Sequence, residues 1–133
     1  MFKIVTKGWG YEIQIENNKD YCLKHLHVLP TKWCSVHYHR KKIETFYVIS
    51  GQLYLEYSED LRIKTIQNLH LFWDNIAEKK VMILKNGDYL TINRWTPHRF
   101  TSNTNEPCDF IEGSTHHEDS DSYRVQKGDG QNG

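Results

Sequence analysis

Turn residues interrupt this chain at short intervals, and the apolar and aromatic runs between them are too brief and too irregular for amphipathic helices. The runs cover residues 11–16, 21–29, 33–39, 44–49, 52–57, 81–84, 89–92, 98–101 and 108–112. Segments about 5 residues long at such spacing are the pattern of a β-sandwich or barrel. Two glycines mark turns: Gly51 in Ser50-Gly51-Gln52 and Gly87 in Asn86-Gly87-Asp88. Each can take the positive φ that other residues resist. Residues 58–80 mix Leu69, Leu71, Phe72 and Trp73 with charges at no clear period. They read as an extended hairpin or loop over part of the barrel and as a candidate subunit contact, and no helix is expected.

Length and charge narrow the function. At 133 residues the chain is expected to be one domain over residues 1–127, followed by a disordered glycine-rich tail at 128–133. Lys+Arg 17 balance Asp+Glu 17, so no basic field exists to draw in nucleic acid or an anionic membrane. A small molecule is the expected partner. Cys22, Cys34 and Cys108 are odd in number and form no Cys-x-x-Cys pair, which argues against a disulfide framework and a zinc ribbon. The first residues lack the apolar core of a secretory signal, and no run is long enough to span a bilayer. The expected location is the cytoplasm.

The chemistry is concentrated in histidines. Period-two alternation places Trp33, Ser35, His37 and His39 on one face of their strand and Cys34, Val36 and Tyr38 on the other. A lone His-x-His among 8 histidines is more often a surface pair. Here Glu44 follows after four residues and opens the next strand, so an antiparallel hairpin would bring its carboxylate to the imidazoles. His98, after Thr96-Pro97, would close the set from a distant strand. Three imidazoles and a carboxylate suit one divalent ion, with Zn, Mn, Fe, Ni and Co all admissible.

Residues 37–44, six more residues and Gly51 resemble the first motif of the cupin superfamily, and residues 87–98 resemble its second. More narrowly, Gly8-Trp9-Gly10-Tyr11-Glu12, Lys24, Ser35-Val36-His37-Tyr38-His39, Pro97-His98-Arg99, Ile111-Glu112 and Asp121-Ser122-Tyr123-Arg124 resemble the cupin domain of type II mannose-6-phosphate isomerases. The similarity runs over residues 7–128. It implies an all-β, cupin-type double-stranded β-helix, a jelly-roll barrel. Departures fall mainly at turns: the family pattern has glycine where Thr31 and Trp95 stand, proline at Asn93 and asparagine at Ser102. Type II isomerases also tend to carry glutamine where His37 lies. No nucleotidyltransferase segment is found in this sequence, so sugar-nucleotide synthesis is not expected.

The resemblance implies aldose–ketose isomerisation of a sugar or sugar phosphate, as in mannose-6-phosphate isomerase. An Fe-dependent dioxygenase and a non-catalytic carbohydrate-binding cupin are the alternatives. Face counting turns Lys24, Phe46, Arg99 or Phe100, and Glu112 inward. Glu112 is the expected acid/base and Lys24 the group polarising substrate oxygens, since ionisable side chains inside a barrel are costly unless they meet a partner. The alternative for Glu112 is a salt bridge with Lys24 or Arg99. Trp9 and Tyr11 can offer flat faces to a sugar ring, while Arg99 and Arg124 can receive an anionic group. Cys34 is expected to face away from the metal, and His116 and His117 to lie in an exposed polar loop. A homodimer is expected, because open barrel edges invite pairing.

Overall fold

Alternating burial runs along the central strands: Cys22, Lys24, Leu26 and Val28 point inward from one strand while the residues between them are half-buried. This is the period-two geometry of extended backbone. The computed structural model describes residues 3–75 and 79–130. Its strands are β1 (Lys3–Lys7), β2 (Gly10–Asn17), β3 (Cys22–Val28), β4 (Val36–His39), β5 (Glu44–Ser50), β6 (Gln52–Tyr57), β7 (Lys80–Lys85), β8 (Tyr89–Ile92), β9 (His98–Ser102), β10 (Cys108–Ser114) and β11 (Ser122–Gln126). They form a six-stranded sheet in the order β1-β2-β3-β10-β5-β8 and a five-stranded sheet in the order β11-β4-β9-β6-β7. Every pairing between these strands is antiparallel.

The two sheets bury an apolar core between their inner faces. Phe46, Phe100 and Phe110 meet there with ring centroids 5.0 to 6.1 Å apart in edge and tilted contacts, the arrangement their quadrupoles favour. This apolar packing fills one part of the barrel and leaves the other open to polar side chains. The three cysteines are free and buried.

Residues 58–80 depart from the expected hairpin or loop. A 3₁₀ turn spans Leu61–Lys64, and a helix α1 spans Leu69–Asn75. Asn68 Oδ1 accepts the Leu71 N–H at 3.1 Å, in the manner of an N-cap. Phe72 and Trp73 of α1 join Ile63 in a second apolar cluster against Val36, Tyr38 and Val125, covering the outer face of β4 and β11. Two helical turns are too few for the 3.6-residue period to stand out, so the sequence pattern missed them. Residues 76–78 of this segment lie outside the described residues.

Turn geometry follows the glycines and, in two places, replaces them. Gly51 and Gly87 have φ of 79° and 90°. Thr31 and Trp95, which stand where the cupin pattern has glycine, have φ of 63° and 62°. Both therefore keep the left-handed backbone while carrying a side chain, at a cost on the order of 1–2 kcal/mol each. At the end of the chain, the Asp129 N–H donates to the Trp33 carbonyl at 2.8 Å, and Asp129 Oδ2 accepts the Trp33 N–H at 2.6 Å. Residues 131–133, the rest of the segment expected to be disordered, lie outside the described residues. Among the described residues no helix is long and apolar enough to cross a membrane.

Candidate metal centre

Strand β4 is covered on both sides, and its alternation decides what each side receives. Val36 and Tyr38 face the α1 cluster, while His37 and His39 face the barrel interior. Strand β9 lies beside β4 with His98 directly opposite His37, so the third imidazole comes from a neighbouring strand. Ring centroids are 4.6 Å apart for His37 and His98, 5.2 Å for His37 and His39, and 6.0 Å for His39 and His98. One ligand atom from each of the three lies within 4.8 Å of the others.

Glu44 does not reach this group through a hairpin. Strand β4 pairs with β9 and β11, whereas β5 pairs with β8 and β10 in the other sheet. Residues 40–43 therefore cross between sheets, and Glu44 approaches the histidines from the opposite wall. Its Oε1 lies 2.9 Å from His98 Nε2 and 3.7 Å from His39 Nε2.

The protonation pattern follows from the backbone. Nδ1 of His37 lies 2.9 Å from the Ser35 carbonyl, Nδ1 of His39 lies 3.1 Å from that of Asp121, and Nδ1 of His98 lies 2.9 Å from that of Thr96. A carbonyl can only accept, so each Nδ1 carries a proton and each neutral ring presents Nε2 as a lone pair. With the His98 ring neutral, as ligation requires, the 2.9 Å approach of Glu44 Oε1 to its Nε2 sets two acceptors against each other and is not a hydrogen bond. Both atoms are buried without a hydrogen-bond partner. Two lone pairs held face to face in a dry interior repel unless a cation lies among them. The donor set of three neutral imidazoles and one carboxylate fits a divalent ion.

The electrostatics keep His37, His39 and Glu44 in their ligating forms. Burial, followed by the neighbouring His98 and His39, holds His37 well below the usual imidazole range. Burial likewise lowers His39 to about 4. For Glu44 burial works the other way, but the Lys42 ammonium, 3.2 Å from its Oε2, outweighs it and leaves the carboxyl well below the ordinary value.

His37, His39 and Glu44 line a cavity of about 540 Å³, with His98 buried behind them. Lys24, Glu112, Trp9 and Arg124 line it. Lys24 is buried and pairs with Glu12 at 3.6 Å. Glu112 pairs neither with Lys24 nor with Arg99; its Oε2 lies 3.3 Å from Lys42 Nζ. Burial, and then Glu44, raise the Glu112 carboxyl above its ordinary value, with Lys42 opposing them. Arg124 stands opposite His37 on β11, at the exposed side of the cavity.

Four expectations are corrected. Arg99 points out of the barrel, where it pairs with Glu56 at 3.1 Å and lies over Trp33, because the residue after an inward His98 must face outward. Tyr11 is also turned outward and stacks on His27 at 4.7 Å. Cys34 faces inward: regular strand begins only at Val36, so alternation cannot be extended back to residue 33. Its Sγ accepts the Phe100 N–H at 3.3 Å, and burial pushes the thiol up to about 12, which leaves it inert. His117 is not a surface histidine; it lines the cavity with Nδ1 3.1 Å from Lys42 Nζ.

Lys42 is the main residue that sequence reasoning missed. It is 3% exposed and bridges Glu44 Oε2 at 3.2 Å and Glu112 Oε2 at 3.3 Å. Burial disfavours its charge, but the Glu112 and Glu44 carboxylates outweigh that and raise its pKa. The adjacent Lys41 has its side chain 73% exposed. Nothing in a Lys-Lys pair within a loop says which one turns in.

No protein-family model and no curated protein matches the sequence. Solved structures do match the fold. The capsular polysaccharide assembling protein CapF from Staphylococcus aureus aligns with TM-score 0.75 and 14% identity over 95% of this chain and 32% of its own. The Lactobacillus farciminis oxalate decarboxylase, solved as a formate complex, gives 0.71 and 12% over 93% of this chain and 34% of its own. An oxalate decarboxylase from Bacillus subtilis gives 0.73 and 13% over 93% and 30%. This chain thus spans about a third of the length of each. At such identity the likeness speaks to architecture alone. The chain is an all-β barrel of the cupin fold, with a three-histidine group inside it that can hold a metal ion.

Proposed function

We propose that this chain is a metal-dependent isomerase that interconverts an aldose and a ketose, or their phosphates, by proton transfer. The observation that carries this reading is the buried Glu112–Lys42 pair, 3.3 Å apart and facing the same cavity as His37, His39 and Glu44. The ion held by His37, His39, Glu44 and His98 would be Zn, Mn, Fe, Ni or Co, and when bound it supplies Lewis-acid polarisation of substrate oxygens.

The remaining work belongs to the chain itself. Isomerisation removes a proton from the carbon beside a carbonyl and returns it one carbon away. Glu112, with its carboxyl raised by burial, takes and returns that proton. Lys42 holds Glu112 in place and offers a fixed positive charge where negative charge develops on the substrate. Lys24, oriented by Glu12, faces the substrate hydroxyls. Trp9 gives the ring an apolar surface, and Arg124 on the exposed side receives an anionic group. A homodimer belongs to the same proposal and is checked by light scattering after size exclusion.

The test begins with elemental analysis of protein purified without a histidine tag, then a screen of aldoses and aldose phosphates with the ion found. Glu112→Gln should retain the metal and lower turnover at least about 100-fold, the lower end of what acid–base groups contribute. Unchanged turnover would remove Glu112 from the reaction. Oxygen consumption by iron-loaded protein without sugar interconversion would point to a dioxygenase, and sugar binding without turnover to a non-catalytic module.

A further inference from the structure

Asp121 lies in the 3₁₀ turn just before β11 and is 3% exposed. A buried carboxylate must be satisfied by donors, and here the donors are all backbone. Oδ1 accepts the N–H of Arg40 at 3.0 Å and of Lys41 at 3.1 Å. Oδ2 accepts the N–H of Lys41 at 3.2 Å and of Lys42 at 3.1 Å. The same residue's carbonyl receives Nδ1 of His39 at 3.1 Å. One residue thus grips three successive amides of the crossover and orients an imidazole at its start.

That crossover has no strand partner of its own, because it passes between sheets. Its other backbone braces are the Trp95 N–H donating to the His39 carbonyl at 2.7 Å, Arg94 Nε donating to the Lys41 carbonyl at 2.8 Å, and Thr115, whose N–H donates to the Ile43 carbonyl at 3.1 Å and whose Oγ1 accepts the Ile43 N–H at 3.2 Å. These hold carbonyls and the Ile43 amide, whereas among the described residues only Asp121 holds the amides of residues 40–42. The position of those amides decides that Lys42 rather than Lys41 turns into the cavity, and it sets the span from His39 to Glu44.

We infer that Asp121 is a positioning residue of the metal centre, clamping the crossover so that His39, Lys42 and Glu44 meet in one geometry; this rests on the reading of the histidine group as a metal site. The carboxylate acts through these residues and touches neither ion nor substrate. An amide in its place keeps one acceptor and turns an NH₂ toward backbone N–H donors, so Asp121→Asn should loosen the clamp while preserving side-chain shape.

The experiment is a Co²⁺ titration of the metal-free full chain, followed by visible absorption, alongside thermal unfolding. Wild type should bind one Co²⁺, and Asp121→Asn should bind it roughly 10–100-fold more weakly with an altered spectrum, the scale seen when an outer partner of a ligand is lost. Asp88→Asn is the structural control, since Asp88 Oδ2 accepts the Lys85 N–H at 2.8 Å in the remote β7–β8 turn. It should lower the melting temperature and leave Co²⁺ affinity and spectrum unchanged. Wild-type affinity and spectrum in Asp121→Asn would overturn the inference, as would an equal loss in Asp88→Asn. Failure of wild type to bind Co²⁺ would instead sink the metal reading, and the positioning role with it. Should Asp121→Asn not fold, hydrogen exchange on wild type decides. The amides of Arg40, Lys41 and Lys42 should be strongly protected, and exchange at the rate of an open loop would refute the clamp.

Discussion

The chain contains two His-x-His pairs on strands, and they meet opposite fates. His37 and His39 face the interior with Glu44 and His98, whereas His25 and His27 lie on the outer face of β3 and share Asp109 Oδ1 at 2.9 Å each. The outer side chains stay 22–27% exposed, and Tyr11 stacks on His27. Spacing is identical in the two pairs. What differs is parity relative to the apolar set: on β3 the buried positions are Cys22, Lys24, Leu26 and Val28, so the histidines between them must point outward. Water can satisfy the outer pair, whereas the inner pair is grouped with the buried His98 into a set that can hold a metal ion.

Three measurements can break or sharpen this contrast. Lys42→Met leaves the Glu44 and Glu112 carboxylates buried without their shared cation, so urea unfolding of metal-free protein should show a loss of about 3–5 kcal/mol. Asp109→Asn, the matching change in the outer cluster, should cost less than about 1 kcal/mol. Equal losses would mean that the inner cluster is no drier than the outer one.

Metal titration gives the next contrast. His98→Ala should weaken Zn²⁺ or Co²⁺ binding beyond the roughly 10–100-fold typical of losing an outer partner. His27→Ala should leave binding unchanged, and a comparable loss there would place the site on the wrong face of the sheet.

The smallest effect concerns pH. His39 is lowered from 6.5 to about 4 and His37 is lowered well below 6.5, so between about 4 and 6.5 these groups bind more protons unfolded than folded. Their contribution to stability is therefore complete above pH 6.5 and is lost as pH falls toward 4. The melting temperature of metal-free protein should drop across that window, and His39→Ala should flatten the drop. Metal binding should weaken over the same range, since ligation needs neutral imidazoles. A melting temperature that is flat across the window would show that the inner histidines are not held neutral by burial.

Much of the barrel was legible because strands announce themselves by period two. The run at 52–57 coincides with β6 and that at 89–92 with β8. The strands missed, β1 and β11, lie at sheet edges with at most one buried residue each, where burial imposes little pattern. Arg99 was misplaced although the same alternation, applied from an inward His98, selects Phe100. Helix α1 was missed because Phe72 and Trp73 answer to the outer face of β4 and β11, strands distant in sequence, rather than to a helical stripe.

From the residues alone came the strand pattern, the inward parity of His37 and His39, and the donor types that suit a divalent ion, since these depend on neighbours one or two positions apart. Convergence belonged to the tertiary structure. Glu44 arrives from the opposite sheet, Lys42 rather than Lys41 turns inward, and the three imidazoles are oriented by the carbonyls of Ser35, Thr96 and Asp121. Every residue carries a carbonyl, so no side-chain code says which of them will stand behind a ligand; only the packing of two sheets around a shared interior decides that.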